Sequence, residues 1–292
     1  MPKPPRTIEA KKKLLIEKHF PWGSPGFLQK PTSPEPAILE RAVERWLEQQ
    51  TLPFGAAALA LAARIHPILR ETEVPLVSGR LLARIDCSSQ VKSPASILEK
   101  MVRDWEPNGE DLRAPRLGFL NFRQDIHDLG RIRVVANFLS DAERIRALLE
   151  QPYDASAADR LTAAQKRLRD DYSLKENHLA DSIHLDPGKR EKGERCLKGL
   201  FSPQGPRAPL MVELQVQTLL QEAWDKKDHF LIYERRRRGE QVEPRHQREI
   251  FAMSELLYVA DLTFDRLRGE IVDGWGGRPT RKSAVRHLRR GA

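Results

Sequence analysis

Residues Met211 to Tyr233 read MVELQVQTLLQEAWDKKDHFLIY, and two periods follow one another within them. Through Val212-Glu213-Leu214-Gln215-Val216-Gln217, apolar and polar residues alternate, so successive side chains fall on opposite faces of a strand. Val212, Leu214 and Val216 share the face that must be buried, and Glu213, Gln215 and Gln217 point the other way together. From Thr218 the spacing changes to that of a helix, expected to run to Tyr233. Asp225, His229 and Tyr233 fall on one side of it, at i, i+4 and i+8. Trp224, with Leu220 and Leu231, is expected in the core. His229 is either oriented by Asp225 near a ligand or a satisfied structural histidine, and the spacing leaves both open.

Upstream, Ile132 to Phe138 (IRVVANF) gives a second strand. Ile132, Val134 and Ala136 face its core, Arg131 and Arg133 lie opposite, and Asp128 stands just before it. Two strands thus present acidic, basic and amide groups from a polar face. A magnesium–nucleotide site needs that inventory: carboxylates for the metal, guanidinium groups for phosphate oxygens, amides for sugar or base. A plain half-solvated antiparallel sheet shows the same alternation. Further strands and helices are expected around these two. Val77 to Ile85 reads as a strand, and Ser93-Pro94 opens a helix to about Trp105, with Ser93 as N-cap and Pro94 in the first turn. Asp141 to Leu149 reads as a short helix, and Glu249 to Val272 as a long amphipathic one. Two helices, from Ala37 and from Phe54 to Pro67, would flank the core. Residues 186–209, dense in glycine, proline and charge, read as a long exposed loop. The expected class is α+β, a mixed sheet with helices packed on it.

The 292 residues carry 50 Lys and Arg against 41 Asp and Glu, a net charge of +9 that favours polyanionic partners such as nucleotides or RNA. Forty per cent hydrophobic residues suffice for a core, and the mean hydropathy of -0.56 describes a soluble chain with no expected membrane span. Phe54 to Leu69 is apolar but interrupted by Arg64, His66 and Pro67, so it reads as a buried helix. The basic start (Lys3, Arg6, Lys11 to Lys13) lacks the apolar run of a secretory signal. Cys87 and Cys196 stand far apart without metal-ligand neighbours, so a reducing, cytoplasmic setting is expected.

The wording of these segments resembles the synthetase domain of the RelA/SpoT alarmone synthetases, from about Gln90 to Tyr233. Glu213, Gln215, Thr218, Trp224, His229 and Tyr233 match the family's Glu-x-Gln-x-x-Thr strand and the Trp, His and Tyr of the helix after it. Asp128-Leu129-Gly130-Arg131-Ile132-Arg133 is similar to its Asp-x-x-Gly-x-Arg entry to the central strand. Lys92 to Ile97, with Glu99 and Lys100, resembles its nucleotide-binding turn, and Asp171 to His184, through Lys175, is a looser fourth block. The resemblance implies a nucleotidyltransferase-like mixed sheet with N- and C-terminal helical extensions, and Mg²⁺-dependent transfer of pyrophosphate from ATP to the 3′-hydroxyl of GDP or GTP. It implies that Asp128 holds Mg²⁺ and that Glu213 binds metal or serves as general base. It further implies that Lys92 and Arg133 contact phosphates, with Lys100 and Lys175 as weaker candidates; from their places on the strand and helix faces, Arg131, Gln215, Gln217 and His229 are further nucleotide-binding candidates. The boundaries expected are an arm at 1–36, helices at 37–76, the synthetase-like domain at 77–235, a basic loop and C-terminal helix at 236–273, and a mobile basic tail at 274–292. No histidine–aspartate hydrolase blocks stand upstream, so the resemblance is to the small alarmone synthetases.

Four positions depart from the family's pattern. Gln90 replaces an arginine, Arg131 a glycine and Gln217 an arginine, and the Asn-Gly-Tyr segment that stacks on the acceptor base has no clean counterpart before Ser182. Arg131 and Arg84 are candidates to replace the missing guanidinium groups, and His178 the missing tyrosine. The run Arg235 to Arg238, with Arg245, His246 and Arg248, fits a solvated loop or an RNA-contacting patch. The patch would suit the family's toxin branch, which pyrophosphorylates the tRNA 3′ end. A third reading is a non-catalytic nucleotide or RNA binder on a decayed synthetase fold. The apolar residues of Glu249 to Val272 are expected to pack on the core or on a second copy of the chain, making a homo-oligomer.

Overall fold

The structure, a computed structural model, describes residues 7–32, 35–71, 83–88, 90–105, 114–185, 193–205, 210–237 and 240–273. Six strands form one mixed sheet: β1 (Ala83–Asp86), β2 (Gly130–Ala136), β3 (Tyr172–Leu174), β4 (Ala180–Asp181), β5 (Leu197–Pro203) and β6 (Val212–Thr218). The order is β1-β2-β6-β5-β3, with β4 also paired to β5. β2 and β6 run parallel at the centre and every other pair is antiparallel. The α+β class and the mixed sheet flanked by helices are as the sequence suggests.

The apolar residues of the alternating strands decide which face is covered. Ile132, Val134, Leu214, Val216, Leu197 and Phe201 are buried together with Leu61, Ile65 and Ile68 of helix α2 (Pro36–Glu71). Ile145 and Leu149 of α5 (Leu139–Glu150) and Leu168 of α6 (Ala163–Asp171) complete this core. A second apolar cluster joins α1 (Ile8–His19), the first half of α2 and α3 (Pro94–Val102) around Phe20, Trp46, Leu98 and Phe122, the last opening the short turn α4 (Phe122–Asp125). Ser93 caps α3 as expected, its hydroxyl accepting the Ser96 amide at 3.3 Å, with Pro94 in first position.

Several elements differ from the sequence reading. The segment read as an arm contains α1, because Leu15 and Ile16 are buried and the Thr7 hydroxyl caps the helix. The two expected helices after it are one 36-residue helix that passes through Pro53 and Pro67. Pro53 can donate no amide to the turn before it; close by, the Thr51 hydroxyl donates to the Leu47 and Glu48 carbonyls at 2.9 and 3.0 Å, and Phe54 is buried. By length and composition α2 could cross a membrane, yet its apolar residues cover the sheet. The region read as a loop at 186–209 holds β5, whose Leu197, Gly199 and Phe201 are buried in alternation; residues 186–192 and 206–209 lie outside the described residues. Of the strand expected at Val77 to Ile85, residues 77–82 also lie outside them, as does the tail from 274.

The helix after β6 is α7 (Leu219–Asp228); a π-helical turn, His229–Tyr233, interrupts it before the short α8 (Glu234–Arg237). The last long helix, α9 (Pro244–Arg268), starts earlier than expected; Tyr258 packs against this core, but several of its large apolar residues stay outside it. Leu256 is 62% and Phe264 54% exposed, while Ser254 and Asp261 are buried. Polar pins dock it: Thr218 donates to Asp261 at 2.6 Å, Trp224 Nε1 to the Ile250 carbonyl at 2.6 Å, and Arg268 pairs with Asp141 at 2.8 Å.

Candidate active site

The site begins where α2 meets β2. A Cβ at Gly130 would lie 2.7 Å from the Phe54 carbonyl oxygen, so only glycine lets the helix backbone sit on the start of the strand. Around this contact the Lys92 amide donates to the Leu129 carbonyl and the Arg131 amide to the Gln90 carbonyl, both at 2.9 Å. The Lys92 turn is thereby laid beside Asp128. Lys92 Nζ reaches one Asp128 oxygen at 2.6 Å, and Lys100 Nζ, from α3, reaches the other at 2.8 Å. Burial works against the Asp128 charge, but the two ammonium groups outweigh it and hold the carboxyl well below the usual carboxylate range.

The parallel pairing of β2 with β6 sets Arg131 opposite Glu213 and Arg133 opposite Gln215. Polar contacts run across this row. Arg133 donates to Asp225 of α7 at 2.9 Å and to Gln215 Oε1 at 3.2 Å, and the Gln215 amide donates to Glu213 at 2.7 Å. Beside it, Asp86, Arg131, Arg133 and Gln215 line a small notch. The Ser88 amide, donating at 2.8 Å, holds the Asp86 carboxyl below its ordinary value.

Asp128 and Glu213 face one cleft of about 400 Å³, lined also by Lys100, His127, Lys175, Glu176, His178, Lys198 and Leu200. Lys175 opens a tight turn in which Glu176 and Asn177 take φ of 61° and 58°, so the chain reverses at the cleft wall. His178 Nδ1 lies 2.9 Å from the Glu176 carbonyl, a hydrogen bond when that nitrogen carries the proton. Lys198, on β5, pairs with Glu194 at 2.8 Å. Burial opposes its charge, yet the anionic groups around it, Glu194 and Glu213 among them, raise its pKa above the ordinary lysine value.

The residues expected at the site are therefore brought together unevenly. Asp128, Glu213, Lys100 and Lys175 share the cleft, Lys92 reaches it through Asp128, and Arg131, Arg133 and Gln215 share the adjoining notch. Gln217 is 2% exposed and lines neither. His229 is not oriented by Asp225, which is taken by Arg133. Its ring stacks on Tyr233, 4.8 Å between centroids, with Glu234 3.6 Å away. Trp224 is in the core as expected, but Leu231, in the π-helical turn, is 46% exposed. Arg84 is engaged by Glu222 at 2.5 Å, so of the two candidate replacement guanidinium groups only Arg131 lines the notch. Asp86, His127, Glu176 and Lys198 also line the cleft or the notch, although the sequence did not single them out for it. The alternation of Leu197, Gly199 and Phe201 was the available signal for Lys198.

A family model described as "Region found in RelA / SpoT proteins" matches residues 89–238, just over half of the chain. A search of curated protein sequences gives no match. Among solved structures, small alarmone synthetase 1 from Bacillus subtilis superposes with a TM-score of 0.52 at 20% identity, over 79% of this chain and 99% of that one. The same protein bound to its product pppGpp gives 0.51 at 21% identity, over 78% and 98%. Smu.1046c from Streptococcus mutans UA159 gives 0.52 at 20%, over 78% and 97%. At these identities the superpositions establish the architecture, and the family model covers the strands and turns that build the cleft. The chain belongs to the RelA/SpoT family and has the fold of its small alarmone synthetases.

Proposed function

We propose that the protein is a Mg²⁺-dependent pyrophosphokinase that moves pyrophosphate from ATP to the 3′-hydroxyl of GDP or GTP. The observation that carries this reading is the placement of Asp128 and Glu213 in one cleft walled by Lys100, Lys175 and Lys198. Family membership supports it, as does the product pppGpp seen on the Bacillus subtilis protein of the same fold.

The acceptor 3′-oxygen attacks the β-phosphorus of ATP, the bond from that phosphorus to the α-bridging oxygen breaks, and AMP leaves. Glu213 takes the hydroxyl proton, with one of its oxygens steadied by the Gln215 amide. Lys92 and Lys100, held at the cleft by Asp128, turn their remaining N–H groups to the triphosphate, and Arg131 and Arg133 serve its far end from the notch. Asp128 stays ionised beside its lysines, so the pair of hard oxygen donors suits Mg²⁺. Asp128 and Glu213 would hold the ion, which supplies charge neutralisation on the phosphates when bound.

An RNA acceptor is the second reading, supported by exposed Arg235 and Arg236 directly after the stack of exposed His229 on half-buried Tyr233. Incubating the protein with ATP, Mg²⁺ and, separately, GDP, GTP and bulk tRNA, then identifying products by mass, separates the two. A 3′-pyrophosphorylated guanosine nucleotide supports the first. Modified tRNA with unmodified nucleotides moves the chain to the second, and no product with a folded protein removes both.

A further inference from the structure

One lysine of the cleft wall has no substrate group assigned to it. Lys198 lies on β5, on the polar side of the sheet, since its neighbours Leu197 and Phe201 are fully buried on the other. Across the sheet it stands opposite Gln215 on one side and Ala180 on the other, and Leu200, two residues on, stands opposite Glu213. Ala180 is too small to cover it, and the space above opens into the cleft. Its ion-pair partner is Glu194, four residues earlier in the chain and itself about one third exposed, so an arriving anion can take the ammonium from it.

We propose that Lys198 binds the 5′-phosphates of the acceptor nucleotide. The inference rests on the pyrophosphokinase reading above and assigns the two substrates to opposite flanks of β6. On the β2 flank, Lys92 and Lys100 converge on Asp128, which assigns the donor triphosphate to that side. The acceptor hydroxyl must meet Glu213, which leaves its 5′-phosphates on the β5 flank. Lys198 is one strand over from Glu213, about 4.8 Å, and two residues from the level of its partner Leu200, about 3.3 Å per residue along β5. A flexible lysine at that offset reaches a phosphate one sugar ring away from Glu213. Lys175, on the turn that walls the same flank, is placed to share the load.

The test compares Lys198→Met and Lys198→Arg with the wild type, by GDP calorimetry and by KM for each substrate. Loss of one charged hydrogen bond is expected to weaken GDP binding and raise its KM by about tenfold or more, with the ATP KM changed less than about twofold. Lys198→Arg restores GDP binding, and guanosine, which lacks 5′-phosphates, is bound alike by wild type and Lys198→Met. Equal losses for ATP and GDP, or unchanged GDP binding, overturn the proposal. Should Lys198→Met fail to fold, Glu194→Gln decides: freeing the ammonium is expected to tighten GDP binding and leave ATP unchanged, and unchanged GDP affinity counts against it. A wild type that binds GDP but transfers nothing sinks the pyrophosphokinase reading, while the calorimetric comparison still decides Lys198. A wild type that binds no GDP overturns both.

Discussion

Asp128 and Gly130 show how single residues set this site. Two lysines share the Asp128 carboxylate, and the missing side chain two residues later allows α2 to press its backbone on the strand. Gly130→Ala is expected to cost about 1–3 kcal/mol, because the intruding methyl meets backbone rather than a yielding side chain. Gly118→Ala is the control, since a Cβ there meets nothing closer than 3.8 Å. Urea midpoints give the comparison, and equal midpoints for the two variants would show that the Phe54 contact does not constrain β2. At this scale the sequence was most informative where residue type and alternation agreed. Glu213 and Arg133 could be read from strand faces and Asp128 from the motif just before β2, and the structure puts the two carboxylates in one cleft. Gln217 obeys the same alternation yet is buried, because a strand pattern cannot show that a following helix will cover its end. His229 keeps its place one turn after Asp225, its amide donating to the Asp225 carbonyl, but helical spacing cannot show that Arg133 from another element takes the Asp225 carboxylate.

Among the elements, α9 docks by hydrogen bonds and ion pairs, so its attachment depends on pH. The Thr218 hydroxyl donates to Asp261, and burial raises that carboxyl to about 6 from an ordinary 3.8. A carboxyl raised in the folded state favours folding below its unfolded value and loses that contribution as pH rises through its folded value. The wild type is therefore expected to lose roughly 3 kcal/mol relative to Asp261→Asn between about pH 4 and about pH 7. Denaturant titrations of both proteins across that range give the difference. A gap that does not change, or one that opens in the opposite direction, would show that Asp261 is not held protonated. The elements also show where sequence patterns mislead. β5 was hidden because glycine and proline density reads as loop, although Gly199 is there to make room: a Cβ on it would meet Leu179 at 2.2 Å. α1 was hidden because proline-rich flanks surround a short helix whose burial depends on a distant aromatic cluster. A second helix was expected to start near Phe54 and end near Pro67, but α2 runs unbroken through Pro53 and Pro67, with Leu61, Ile65 and Ile68 buried on the sheet.

For the molecule as a whole, the sheet keeps one apolar face under α2, α5 and α6 and leaves the other for chemistry. The surface of α9 stays open: Met253, Leu256, Val259, Leu262 and Phe264 are exposed along it, which supports self-association through this helix. Leu256→Glu with Phe264→Glu is expected to lower the mass seen in light scattering at micromolar concentration without changing the fold. A wild type that is already monomeric there would remove this proposal. If Asp128 and Glu213 make one pyrophosphoryl-transfer site, label on ATP must follow the pyrophosphate to the acceptor. ATP carrying γ-labelled phosphate is mixed with Mg²⁺ and GDP, and both the labelled nucleotide and the AMP released are counted for wild type and for Glu213→Gln. Label on a guanosine nucleotide, matched one for one by AMP and lost in a Glu213→Gln variant that folds and binds GDP, is the expected result. Transfer that survives Glu213→Gln, or a folded wild type that releases no AMP with any acceptor, would contradict it.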